Sequence, residues 1–413
     1  MTYWQDFDID RTIRDFDYTK RAAAGMNRII DSAPFEDMDA GKIFQYLSKE
    51  MEVVLFPDYL KRYIYQKLAP DEPFAEMTQA MYQEIIASSF EANRAPYSFT
   101  PTTTKRSAMI KLWLTLPNVR RSTIFTLGFG LRMTAEEVSE FLTKVIKEAD
   151  FDFTDPRETV YWYCYKHDLP YSSAVQYLRL YEEMPQGGAQ HGSKSSLLKG
   201  IKASPAIFLL SEENFLFYLS RLRATGEAGK RSDRTFAEFV RLYDRCRAVI
   251  LDMHNEIEQV HRTGKHWELG QIRPADLEGV LCYGIPLNDK RNLKAMSASR
   301  FAQLFRNKRM SRQRISTLLA RKQEVDRFDL ITLLFYIYAE TVEPDWPTER
   351  YLKYIDDVNA LLNRCGMLGI YPANPYEAFI LMCLIADDPL AIYSEVWQKS
   401  YEEMNEGAAE ATG

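Results

Sequence analysis

Residues Asn374–Pro389 read NPYEAFILMCLIADDP, and Asp155–Pro170 read DPRETVYWYCYKHDLP. Both follow one pattern: Asp/Asn-Pro-x-Glu, five residues, Cys, three residues, Asp, one residue, Pro. The opening Asp or Asn suits a helix N-cap. The proline suits the first helical position, where a missing N–H costs nothing. Glu158 and Glu377 then fall in the first turn, where negative charge is favoured. The motif is explained by helix initiation and needs no catalytic role. The apolar run after it predicts a buried helix.

The likeness extends outward. Tyr-Glu-Glu-Met follows each stretch, at Tyr181–Met184 and Tyr401–Met404. Upstream, EEVSEFL from Glu136 matches DDVNALL from Asp356. Further upstream, VRRSTIFTLGFGL from Val119 matches VDRFDLITLLFYI from Val325, with Met109, Leu112 and Trp113 falling on Ile315, Leu318 and Leu319. A fainter echo pairs IFQYLSK from Ile43 with FLFYLSR from Phe215. Self-similarity of this kind predicts two diverged tandem copies of one helical unit. The copies span 39–184 and 210–404. Residues 1–38 form an N-terminal segment, 185–209 a Gly/Ser/Gln-rich linker, and 405–413 a disordered tail.

The expected class is all-α. Phe236, Phe239, Tyr243, Cys246, Ile250, Met253, Ile257 and Val260 keep a 3-4-3-4 spacing, one apolar seam for core packing along seven turns. Thr134 with Glu137 forms a capping box. No stretch alternates as a strand would. Gly128 and Gly130 stand in an apolar helix, where they allow close packing. Tyr161, Trp162, Tyr163 and Tyr165 match apolar Ile380, Leu381, Met382 and Leu384, which predicts core. The 413 residues, 46% hydrophobic and 27% charged, fit a globular protein. No apolar run reaches membrane-spanning length. The five cysteines are odd in number and widely spaced. They read as reduced core residues of a cytoplasmic protein.

The net charge of −6 is unevenly spread. From Lys290 to Arg327 there are twelve Lys/Arg and two acids, a net of +10 that leaves −16 elsewhere. A basic patch on an acidic body attracts DNA or an acidic protein surface. Within it, Ser311–Lys322 predicts a helix capped by Ser311, with Ile315, Leu318 and Leu319 inward. Gln313, Arg314, Thr317 and Arg321 then face outward, side chains of the kinds that bond base edges. Lys308, Arg309, Arg312 and Lys322 are placed to meet phosphates. In the first copy, Lys105, Arg106 and Lys111 form a secondary, poorer face.

The segment 297–340 resembles the Cro/C1-repressor (xenobiotic-response) type of helix-turn-helix. Ile315, Leu318, Arg321-Lys322, Val325 and Leu330–Ile337 carry the resemblance, over roughly 40 residues in each copy. It implies a non-enzymatic DNA-binding regulator, one chain standing for a dimer. Ala302 lies 13 residues before Ile315, where the family has ten, and no glycine marks the turn. The alternative is a helical adaptor whose basic patch meets an acidic protein.

No catalytic, metal or cofactor site is expected. His254 and His261 are ~10.5 Å apart along a helix, too far for one ion; His254–Glu258 reads as a surface pair. LKGIK lacks the spacing of a phosphate loop, and no Gly-x-Ser-x-Gly is present.

Overall fold

The computed structural model describes residues 39–185 and 209–410, except 52–54, 69–72, 100–104, 117–118, 147, 226–229, 262–265, 297–298, 306–307, 342–346 and 373. The expected N-terminal segment and nearly all of the linker lie outside the described residues. Among those described, the chain is all-α, as the sequence predicts, with one isolated antiparallel bridge, Leu287 to Leu293. It divides into two compact units: 55–233, and 39–51 together with 234–410. The division departs from the copies expected at 39–184 and 210–404, because the segment opening each copy belongs to the other unit. Apolar side chains choose where such a segment is buried, and chain order does not.

In the first unit run α2 (Phe56–Leu68), α3 (Gln79–Ala92), α4 (Arg106–Trp113), α5 (Arg121–Gly130), α6 (Ala135–Glu140), α7 (Pro156–Lys166), α8 (Tyr171–Glu183) and α9 (Glu212–Thr225). α6 starts as expected: Thr134 Oγ1 accepts from Glu137 N at 3.2 Å, and Glu137 accepts from Thr134 N at 2.7 Å. Asp155 caps α7 by accepting from Arg157 N at 2.7 Å. α7 is buried on every side from Glu158 to Tyr165, so Tyr161, Trp162, Tyr163 and Tyr165 all lie in the core. The two glycines of α5 do permit close approach. A Cβ on Gly130 would lie 2.0 Å from the Phe90 ring, and one on Gly128 2.8 Å from Tyr165. α4 buries Ile110, Trp113 and Leu114, while Leu112 is exposed. Its inner face is therefore turned by one residue, ~100°, from the expected Met109, Leu112 and Trp113.

The second unit holds α1 (Ala40–Gln45), extended by a π turn at Tyr46–Glu50, and α10 (Lys230–His261), α11 (Pro274–Leu281), α12 (Arg300–Phe305), α13 (Arg312–Leu319), α14 (Arg327–Thr341), α15 (Pro347–Arg364), α16 (Pro375–Ile385) and α17 (Pro389–Glu410). α14 and α16 form its centre, buried on every side from Arg327 to Tyr338 and from Tyr376 to Ile385. The α10 seam packs through Phe239, Tyr243, Cys246 and Ile250, but Ile257 and Val260 are exposed, so packing stops before the helix does. α17 continues to Glu410, through residues expected to be disordered; Ala408, Ala409 and Glu410 favour helix. All five cysteines are buried, and none is in a disulfide.

The same anchor is built in both units. In the first, Arg121 Nη2 donates to Glu158 Oε2 at 2.5 Å and to the Asp150 carbonyl, its Nη1 donates to the Ala149 carbonyl, and Asp152 N donates to the same carboxylate at 2.7 Å. In the second, Arg327 Nη2 donates to Glu377 Oε2 at 2.9 Å and to the Gly369 carbonyl, its Nη1 donates to the Leu368 carbonyl, and Tyr371 N donates to the same carboxylate at 2.6 Å. Each glutamate accepts from the residue six before it, and each arginine reaches the carbonyls eight and nine before its glutamate. The hydroxyls of Thr126 and Thr332, five residues past each arginine, both return to the carbonyl four before. The carbonyls of Phe125 and Ile331, also matched, both accept a tyrosine hydroxyl. Tyr165 of α7 supplies it in the first unit and Tyr354 of α15 in the second.

Candidate nucleic-acid interface

α13 begins as expected, with Ser311 Oγ accepting from Arg314 N at 3.2 Å. Ile315 and Leu318 are fully buried and fix its inner face. The helix ends at Leu319, short of the expected Lys322, because Arg321 takes a left-handed conformation with φ 51°. α12 ends at Phe305 and α13 starts at Arg312, so the connection is longer than a tight helix-turn-helix turn.

Only part of the expected reading face points outward. Gln313 is exposed, as is Ser316 one turn on. Arg314 does not face bases. Its Nε and Nη2 bond both oxygens of Asp329, at 2.6 and 2.8 Å, and its guanidinium lies 4.2 Å from the Phe328 ring centroid. Asp329 has no exposed surface, and burial pushes its carboxyl above the ordinary range against the pull of Arg314. Asp326 N also donates to it, at 2.8 Å. A buried carboxylate demands a cation, and that demand turns Arg314 inward. Thr317 is half-buried and spends its hydroxyl proton on Gln313 O at 2.6 Å. Arg321 is an exposed residue whose guanidinium stacks over Phe236 of α10 at 4.1 Å.

The expected phosphate contacts are mostly occupied. Lys308 Nζ stands 4.0 Å above the other side chain contact of Arg314, the Phe328 ring, and burial pushes its amine below the usual lysine range. Arg309 Nη1 donates to Lys294 O at 2.7 Å and Tyr401 Oη at 2.5 Å. Arg312 N donates to Glu278 Oε2 at 2.7 Å, and its Nη2 holds Arg291 O at 2.8 Å and Asn292 Oδ1 at 3.1 Å. Lys322 is exposed. In the first unit, Lys105, Arg106 and Lys111 are exposed, with Arg106 5.4 Å from the Tyr97 ring centroid.

A second element joins this face. Between α11 and α12 the chain makes a small hairpin closed by the Leu287–Leu293 bridge. Asn288 Oδ1 accepts from Lys290 N and Asn292 N, at 3.0 and 3.1 Å, and Arg291 turns the chain with φ 56°. These bonds leave Lys290 and Arg291 exposed. Arg312 ties the hairpin to α13 through Arg291 O and Asn292. Arg273, the cap residue of α11, completes a shallow open depression with Asn292, Arg312, Gln313 and Ser316. The sequence carried a signal for the hairpin: NDKRN between two leucines is turn chemistry. Nothing local linked it to α13.

His254 stacks on Trp267 at 4.7 Å, and Glu258 accepts from the Trp267 indole at 3.3 Å, so both brace a loop. Among the described residues no helix is long and apolar enough to cross a membrane. No protein-family model, curated protein or solved structure matches the chain.

Proposed function

We propose that this is a non-enzymatic, cytoplasmic binding protein that holds duplex DNA through α13 and the Leu287–Leu293 hairpin, mainly by its phosphate backbone. The observation that carries the reading is the joined surface of Gln313, Ser316, Arg273, Lys290 and Arg291, tied together by Arg312. Of the acids near it, Glu278 is engaged by Arg312 and Asp276 by Arg273 N at 2.6 Å, while Asp289 of the hairpin is exposed and is outnumbered by the cations around it. An outward helix with small polar side chains, flanked by cations, can lie along a groove. With Arg314 turned inward, base reading rests on Gln313, supported by Ser316, so sequence preference is weak. The helix-turn-helix resemblance supports the same surface.

The test is fluorescence anisotropy with a random duplex at low salt. The R273A/K290A/R291A triple variant is expected to weaken binding at least tenfold, with unfolding unchanged because all three side chains are exposed. Equal affinity refutes the reading. A second reading, an adaptor for an acidic protein surface, is favoured by Tyr283 and Leu287, which are 70% and 54% exposed at the base of the same hairpin. Absence of any duplex binding, with the triple variant still soluble and folded, leaves that reading in place.

A further inference from the structure

The segments that open the two sequence copies, Ile43–Lys49 and Phe215–Arg221, are alike, and each is buried in the unit formed by the other copy. Tyr46 and Leu47 in one align with Tyr218 and Leu219 in the other; all four are buried, and both leucines are fully so. α9 rests on α7 and α8. Phe215 stacks face to face on Tyr163 at 3.9 Å and meets Tyr177 edge-on at 5.1 Å. Tyr218 Oη donates to Phe153 O at 2.8 Å, and Arg223 donates to Glu182 O at 3.2 Å. α1 and its π turn rest on α17 and α12. Phe44 meets Phe301 at 5.1 Å, and Arg300 donates to the carbonyls of Lys49 and Met51.

The matched Tyr-Glu-Glu-Met stretches make α8 and α17 the same helix of the two copies. The matched Arg–Glu anchors make α7 and α16 the same in geometry as well as in sequence. The last helix of each copy is thus covered by a Tyr-Leu-Ser-Lys/Arg helix, and in each case that helix opens the opposite copy. Had each copy kept its own first helix, α1 would lie on α8 and α9 on α17.

We propose that the chain is a fused, exchanged dimer, in which two copies of one unit have traded their first helices. The seat on α17 and α12 is then an interaction surface specific for residues 39–51 of this chain, and the seat on α7 and α8 is one for 212–225. Each half of the chain carries the piece that completes the other, so the halves hold together without the connecting segment. The surface selects its partner by an apolar residue at the start of the helix, a buried Tyr-Leu pair, and carbonyls at the helix end for Arg300.

The test uses the full-length chain and amide hydrogen exchange. Leu47→Ala is expected to raise exchange about tenfold or more in residues 375–400 and leave 156–183 at the wild-type rate; Leu219→Ala does the reverse. Acceleration by Leu47→Ala in 156–183, or equally in both regions, overturns the proposal. Should Leu47→Ala fail to fold, Arg300→Ala frees the carbonyls of Lys49 and Met51 from the seat side. It is expected to speed exchange in residues 40–50, and no change there is equally fatal. A protease site inserted within 185–209 provides a further check. The cleaved fragments are expected to co-elute in native buffer, and separation on cleavage contradicts the exchange.

Discussion

Replacing Arg314 by alanine exposes the structural demand that buried Asp329 makes on α13. Asp329 has no exposed surface, and Arg314 is 20% exposed, so the pair is largely shielded from solvent screening. The substitution removes two charge-assisted hydrogen bonds, at 2.6 and 2.8 Å, and leaves Asp326 N as the remaining donor from this cluster. Removing one partner of a buried pair costs about 3–5 kcal/mol, because an uncompensated charge stays behind. With a urea dependence of ~2 kcal/mol per molar, Arg314→Ala should lower the second unit's midpoint by roughly 1.5–2.5 M. Arg314→Ala/Asp329→Leu removes the orphaned carboxylate, and its loss should be smaller than that of Arg314→Ala alone. Urea denaturation followed by circular dichroism measures all the variants. A midpoint within ~0.3 M of wild type for Arg314→Ala would mean that Asp329 does not depend on Arg314. Any loss of duplex affinity in that variant then has to be read against its stability.

Further outcomes follow from the same geometry. Glu158→Ala and Glu377→Ala each take the glutamate from a matched arginine that keeps its two carbonyls, and Arg121 also keeps Glu148 at 3.6 Å, so chemical denaturation should find both destabilising, toward the lower end of about 3–5 kcal/mol, one in each unit; a neutral result in either breaks the equivalence of the anchors. Gly130→Ala drives a methyl into the Phe90 ring and should cost about 2 kcal/mol or more, with Phe90→Leu recovering part of it in a thermal melt. Burial pushes the Cys164 and Cys282 thiols up to about 12, so neither forms appreciable thiolate at pH 8. A thiol reagent should label both only on unfolding, and rapid labelling of the native chain contradicts their placement.

The helix starts were legible because they are local. Asp155-Pro156, Asn374-Pro375, Thr134 with Glu137, and Ser311 each carry their capping chemistry within a few residues. The buried helices α14 and α16 were legible as apolar on every side. The inward turn of Arg314 was not legible locally, because its partner lies 15 residues away on the next helix and helical periodicity assigns direction without regard to which buried charge needs pairing. Asp329, an acid near the start of an otherwise apolar run, was the signal. The ownership of α1 and α9 was illegible for a different reason. Their own sequences show that they are alike, while the seat each occupies depends on packing against distant helices.

The salt dependence of duplex affinity probes the surface on α13 and its hairpin most directly. With roughly four phosphate contacts from Arg273, Lys290, Arg291 and Lys322, log K should fall against log salt with a slope of about −3 to −4, and the triple variant should flatten that slope by two or more. Binding that ignores salt, or no binding at ~50 mM salt, contradicts a phosphate-holding surface on α13 and its hairpin.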